Sequence, residues 1–274
     1  MSPMNPRLLV PRQEPGVLDF APGAAAAYSL RNLSLNYAGP VVTVRRSTDN
    51  AEADFTASEV SDGTLAGWAG ADGFVTQWWD QSGNARHATQ ATTTAQPQIV
   101  DSGVLVTEGG KAALQFDGVN DRMSSSLTDL TTPFSAVAVF VFDSLSGNST
   151  VFGDWNSSAL DWYLQYNLSL DGIAFSEDVH SVLPSVVSSV SVGEQVAIFF
   201  MDGAPNILQS KDGALAVSNA AADGVALTGG NGLDIGALGT SLQFFNGRLQ
   251  ELIIYPTDQT ALHDRITGNQ MWYY

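Results

Sequence analysis

There is no cysteine among the 274 residues, which excludes disulfide staples and thiolate metal sites. Charge is scarce, at 14% of residues, and one-sided: 11 Lys and Arg stand against 28 Asp and Glu, a net charge of −17. A surface that acidic repels phosphate and anionic headgroups, so nucleic acid and membrane surfaces are excluded as partners. The three histidines, His87, His180 and His263, share no metal-ligand spacing. No G-x-S-x-G elbow is present, and the glycine groups follow no strand-to-helix pattern that would cradle a phosphate. Long apolar runs are missing too, so membrane insertion is not expected. Near the start, Leu8-Leu9-Val10 is the longest aliphatic run and lies between Pro6 and Pro11. That is too short for the apolar core of a secretory signal.

What remains is rich in short apolar segments between turn formers. "AALQFD", "SAVAVFVFD", "STVFGDW", "DWYLQYNL", "GIAFS", "EQVAIFFMD", "NILQSKDG", "LDIGAL" and "FNGRLQELIIY" are separated by breakers such as "DGVND", "LSGNS" and "TGGNG". This spacing predicts an all-β protein, an antiparallel two-sheet jelly-roll sandwich with a few short helices. Pro3, Pro6, Pro11, Pro15 and Pro22 predict an extended arm over residues 1–23, ahead of one domain over 24–274. Within the arm, Leu8, Leu9, Val10 and Pro11 are the candidate anchor. Helices are expected at "AAAAYSLRNL", at "SDGTLAGWAG" and after Pro256, the last capped by Thr257 or Asp258 and stopped by Gly268 and Asn269. A hairpin at "STDN" would set Arg45 and Arg46 against Glu52 and Asp54.

Two aromatic stretches suggest ligand chemistry. In "FVTQWWDQSGN", Trp78 and Trp79 must point to opposite faces of a strand, one into the core and one outward. An outward Trp79 beside Asp80 and Asn84 has the composition of a sugar platform, a flat apolar face with polar groups around it. "DWNSSALDWYLQY" repeats the theme with Trp155 and Trp162. Packing in the core or at its rim is the competing reading for each aromatic. In "DGVND", Asp117 and Asp121 offer oxygen ligands for Ca²⁺, the one cofactor the sequence suggests. The same Asp-Gly is also an ordinary turn signal.

"LQFDGVNDRM" and "FNGRLQELIIY" together resemble the concanavalin A-like, or laminin-G-like, lectin and glucanase fold. "AAYSLRNLSLNYAGPVVTVRRSTDNAEADF" and "WWDQSGNARHATQA" are similar to the opening of the arabinofuranosidase B catalytic domain. That resemblance implies a glycosidase scaffold, with an acid/base aspartate in a Gly-Gly-Asp-Asn motif and a nucleophilic glutamate in a separate segment. In the matching stretch, "DIGALGTSLQFFNG", no carboxylate lies between Gly236 and Gly247. The nearest match to the nucleophile segment, "YNLSLDGIAFSE", offers Asp171 and Glu177. The cysteine pair of that family's sugar pocket is also missing. The resemblance therefore carries the expectation of a chain without enzymatic activity. Chains with this opening, core and Pro-rich arm also look like tailed-bacteriophage virion proteins, meaning fibre, spike or tail-tip components. This implies a structural protein on the particle surface, held to other virion proteins by its arm. A homo-oligomer is expected, a trimer being typical, which binds host polysaccharide through Trp79, Asp80, Asn84, Trp155 and Trp162. The alternatives are a divergent glycoside hydrolase of arabinofuranosidase type, using Asp171, Glu177 or Asp234, and a purely structural decoration or adaptor protein.

Overall fold

The computed structural model describes residues 14–128, 130–131, 133–154, 162–177, 189–203, 206–218, 226–227, 232–239 and 243–274. Two layers of antiparallel strands enclose a shared apolar core. The back layer runs Ala26–Ser29, Asn246–Tyr255, Phe134–Phe142, Gln195–Gly203, Asn206–Lys211 and Ala214–Ser218, each paired with the next. The front layer runs Glu52–Phe55, Val42–Arg46, Gly73–Trp78, Ala88–Thr89, Met123–Ser125, Leu233–Ile235, Ser149–Asp154, Trp162–Asn167 and Gly172–Glu177. Strands Leu114–Asp117 and Gln98–Asp101 join the layers along one edge. The all-β sandwich read from the sequence is the observed fold.

The long apolar strand Phe134–Phe142 shows why its segment lacks a polar alternation. Ala136, Ala138 and Phe140 face the core between the layers. Val137 faces the other way, into a second cluster with Phe199, Ile253, Tyr255 and Ile266. A strand buried on both faces reads as a continuous hydrophobic run. The second cluster exists because the C-terminal helix His263–Tyr273 and the short helix Val17–Phe20 cover the outer side of the back layer. Among the described residues no helix is long and apolar enough to cross a membrane.

Four expectations need correction. "AAAAYSLRNL" forms not a helix but the strand Ala26–Ser29, every residue of it buried. It completes the edge of the back layer by pairing with Leu252 to Ile254, and alanine side chains let it fit between covering elements. The extended arm does not reach residue 23. From Glu14 the chain packs on the domain: Val17 and Ala21 are fully buried, and Gly16 lies so close to Leu33 that a Cβ would fall 2.2 Å from its carbonyl oxygen. Residues 1–13, with Leu8, Leu9, Val10 and Pro11, lie outside the described residues. The C-terminal helix runs through Gly268 and Asn269 instead of stopping there. Tertiary partners outweigh the local stop signal, since Asn269 accepts from Arg31 Nη2 and donates to the Pro15 carbonyl. The hairpin after Arg46 forms, but Arg46 pairs with Asp49, and Arg45 donates to Gln96 and Asn50.

Candidate functional site

The outer side of the front layer carries one transverse row of polar residues. Reading Cα partners across the strands gives Asp54, Thr43, Gln77, Thr89, Ser124, Asp234, Gly153, Tyr163 and Ser176. At about 4.8 Å per strand the row extends for about 38 Å. It exists because the alternate residues, among them Val42, Val44, Ala88, Met123, Leu233, Ile235, Phe152 and Leu164, are committed to the core. With a period of two, the remaining side chains must face out. Gly153 is the one member without a side chain. A Cβ there would lie 2.4 Å from that of Tyr163, so glycine is what lets Tyr163 pack over the strand next to Asp234.

Asp234 is the chemically distinctive member of this row. It is buried, accepts a 2.8 Å hydrogen bond from Ser124 Oγ, and has Arg122 Nη1 3.7 Å from the same oxygen, Oδ1. Burial raises its pKa above the ordinary carboxylate value, while Ser124 and Arg122 pull the other way. Both neighbours address Oδ1, so Oδ2 is the oxygen on which a proton fits. A buried carboxyl that holds a proton above its usual range can act as a general acid. Sequence reading named Asp234 but missed Arg122 and Ser124. Their signal is the alternation in "RMSSS", which becomes informative only once the register pairs Ser124 with Asp234.

The predicted sugar residues divide differently. Trp78 is fully buried and Trp79 half-buried, as opposite pleats require. Trp79 lies beside the polar row, its Nε1 donating to Thr43 Oγ1 at 2.9 Å and its ring 4.6 Å from that of His87. Asp80 is buried, and its carboxylate is taken up by three backbone N–H groups and one hydroxyl. Oδ1 accepts from Ala27 N and Ser82 N, and Oδ2 from Arg86 N and Ser82 Oγ. Asn84 donates to the carbonyls of Ala24 and Ala25. Gln81 donates to the carbonyls of Ser29 and Arg31 and accepts from Leu33 N. "DQSGN" is therefore a clasp that ties this turn to the strand Ala26–Ser29, and not a ligand-binding set. Trp162 is a core residue, 1% exposed, with its ring 5.2 Å from Phe134 and 6.2 Å from Phe152. Nothing is left of it to form a platform. Trp155 lies outside the described residues.

The "DGVND" loop closes on itself. Asp117 Oδ1 accepts from the backbone N–H of Val119, Asn120 and Asp121, and Asp121 Oδ2 accepts from Asp117 N. The calcium reading rests on these two carboxylates alone. Among the described residues no group of three or more His, Asp and Glu side chains is placed to hold a metal ion. Of the other candidate acids, Asp171 is exposed in a turn and accepts from Tyr166 Oη. Glu177 ends the strand that holds Ser176, opposite Trp162.

No family model matches the chain, and no curated protein sequence does. Solved structures do. A GH54 α-L-arabinofuranosidase soaked with a cyclic sulfate inhibitor superposes with a TM-score of 0.65 at 18% identity, over 90% of this chain and 62% of its own. An arabinofuranosidase complexed with arabinofuranosyl-α-1,2-xylobiose gives the same values. Trypanosoma rangeli sialidase follows with a TM-score of 0.50 at 16% identity, over 72% of this chain and 31% of that one. The fold is thus a β-sandwich of the type found in glycoside hydrolases. The chain spans about three-fifths of the length of the arabinofuranosidases it matches. These neighbours overturn the expectation of a non-enzyme, because nearly the whole chain shares its fold with glycoside-cleaving enzymes. They carry no support for the virion role, and the residues expected to anchor it lie outside the described set.

Proposed function

We propose that this chain is a divergent glycoside hydrolase of arabinofuranosidase type, in which Asp234 is the general acid. One observation carries the reading: Asp234 is the buried carboxyl with a raised pKa in the middle of the polar face. Cleaving a glycosidic bond requires a proton on the departing oxygen, and a carboxyl that stays protonated above its usual range supplies it. Ser124 and Arg122 fix Oδ1, so the proton sits on Oδ2. The row on either side of Asp234, from Trp79 and Thr43 to Tyr163, offers hydroxyl, amide and ring groups suited to sugar hydroxyls and sugar faces.

The fold resemblance supports the substrate class and leaves the acid to be argued from this chain's own geometry. The family's acid motif is empty here between Gly236 and Gly247, and Asp234 stands two residues before that gap. Glu177 stands opposite the core residue Trp162 in the strand register, out of the polar row that holds Asp234.

The test is turnover of 4-nitrophenyl α-L-arabinofuranoside and of arabinofuranosyl-substituted xylo-oligosaccharides by the purified chain, alongside Asp234→Asn, Glu177→Gln and Asp171→Asn. Release from the xylo-oligosaccharides that is lost in Asp234→Asn and kept in Asp171→Asn is expected. No hydrolysis of any furanoside or pyranoside offered, by a chain shown to be folded, overturns the reading.

A further inference from the structure

A second site lies on the opposite side of the sandwich and does not depend on Asp234. The C-terminal helix covers the back layer, and between it and the helix Ala57–Ser61 is a cleft of about 440 Å³. Its lining includes Arg31, Lys111, Asn269, Trp272 and Tyr273. Small-molecule clefts of about 300–1,000 Å³ are typical. An adjoining hollow of about 530 Å³, lined in part by Phe20 and Arg265, shares Glu14, Pro15, Asn269 and Trp272 with it. Trp272 thus lines both concavities. It is 68% exposed, in a helix whose other side is anchored by buried Ile266 and Gln270.

Two basic side chains meet beside Trp272. The ring of Tyr273 has the Arg31 guanidinium carbon 4.4 Å and Lys111 Nζ 4.3 Å from its centroid. Arg31 is neutralised by Glu251. Lys111 has no ion pair among the described residues, and Arg31 Nη1 makes no hydrogen bond among them. In a chain with 28 acids and 11 bases, Lys111 beside an open cleft is a local anion-attracting point, and Arg31 adds hydrogen-bond donors there rather than net charge. Glu14 also lines the cleft, so an anionic group would have to sit on the Lys111 side.

We propose that this cleft binds a carboxylate-bearing saccharide of the uronate class, with a sugar ring stacked on Trp272 and its carboxylate held by Lys111 and the Nη1 edge of Arg31. An exposed indole supplies the flat apolar face that a pyranose needs. The Asn269 side chain, by contrast, is committed to Arg31 and Pro15, which fixes the cleft wall.

Titration with trigalacturonate, followed by tryptophan fluorescence and calorimetry, tests this. Saturable binding is expected at millimolar ligand or below. It should weaken by about tenfold or more in Trp272→Ala and Lys111→Gln, and fall as salt rises from about 0.05 to about 0.5 M. Lys111→Arg should restore it. Asp234→Asn should leave it unchanged, so this site and the proposed active site fail separately. No saturable binding overturns the proposal. So does equal affinity for a neutral arabino-oligosaccharide, or binding of polyglutamate that is indifferent to Trp272→Ala, which would mark an acidic-peptide surface instead.

Discussion

Arg31 Nε lies 2.8 Å from Glu251 Oε2, with Glu251 fully buried between the back layer and the C-terminal helix. Every oxygen of this carboxylate is used. Oε2 also accepts from Ser29 Oγ and Tyr274 Oη, and Oε1 from Arg31 Nη2 and Gln270 Nε2. The pair joins the strand Ala26–Ser29, the strand Asn246–Tyr255 and the terminal helix in one network. Removing one partner leaves the other charge buried and alone, at a cost of about 3–5 kcal/mol. Arg31→Met should therefore lower the denaturant midpoint sharply, and Arg31→Met with Glu251→Leu should recover part of the loss. Chemical denaturation of the three chains measures both.

Asp80 should behave as a structural residue and not as a sugar ligand. Its carboxylate collects four donors from two segments. Asp80→Ala leaves the Ala27 and Arg86 N–H groups unpartnered, and a loss of about 1–3 kcal/mol is expected for each buried donor left unsatisfied. Differential scanning calorimetry should show a lower melting temperature for Asp80→Ala. A variant as stable as the parent would remove the clasp assigned to "DQSGN".

Trp162 and Trp79 should separate by their effects. Trp162→Ala opens a cavity among Phe134, Phe152 and the rest of the core and should cost about 3–5 kcal/mol. Trp79→Ala, at a half-buried position beside the polar row, should change stability far less and weaken substrate binding more. Melting temperature and KM, measured on the same two variants, check this.

The pH dependence of stability has a defined sign between about pH 4 and 7. Burial, with the neighbouring Asp117 charge, raises Asp121 to about 7, and burial raises Asp234 as well. The folded chain then holds protons that the unfolded chain has already released, so these groups lend stability at low pH. That contribution is lost as pH rises through the folded values. Asp19, Asp49, Glu59, Asp62 and Glu194 are shifted down by hydrogen bonds and act in the opposite sense, but only below about pH 4 to 5. The melting temperature should fall as pH rises from about 4 to about 7, and Asp121→Asn should flatten the slope. An unchanged slope in that variant would mean Asp121 ionises normally.

The layers were legible in the sequence because burial writes itself into a period of two. "DWYLQYNL" alternates Trp162, Leu164 and Tyr166 inward, and "SAVAVFVFD" loses the alternation where helices cover its second face. "AAAAYSLRNL" was misread because alanine favours a helix locally, whereas its partner strand lies more than 220 residues away, as in Ser29 opposite Glu251. The same distance hid the Arg31–Glu251 pair. In the candidate site, Asp234 was visible as an acid, but its pairing with Ser124 and Arg122 depends on strand register, which no local pattern encodes. The platform at Trp162 failed for a simpler reason. Composition cannot tell a Trp that faces solvent from one such as Trp162 that faces Phe134.

The most direct measurement of the role given to Asp234 compares two leaving groups. A 4-nitrophenolate departs with little help from an acid, whereas a sugar alkoxide needs its proton. Asp234→Asn should therefore reduce kcat/KM for an arabinofuranosyl-xylo-oligosaccharide by on the order of 100-fold or more, and for 4-nitrophenyl α-L-arabinofuranoside much less, with the alkaline limb of the pH–rate profile gone. Equal losses on both substrates, or none on either, would contradict the assignment of Asp234 as the proton donor.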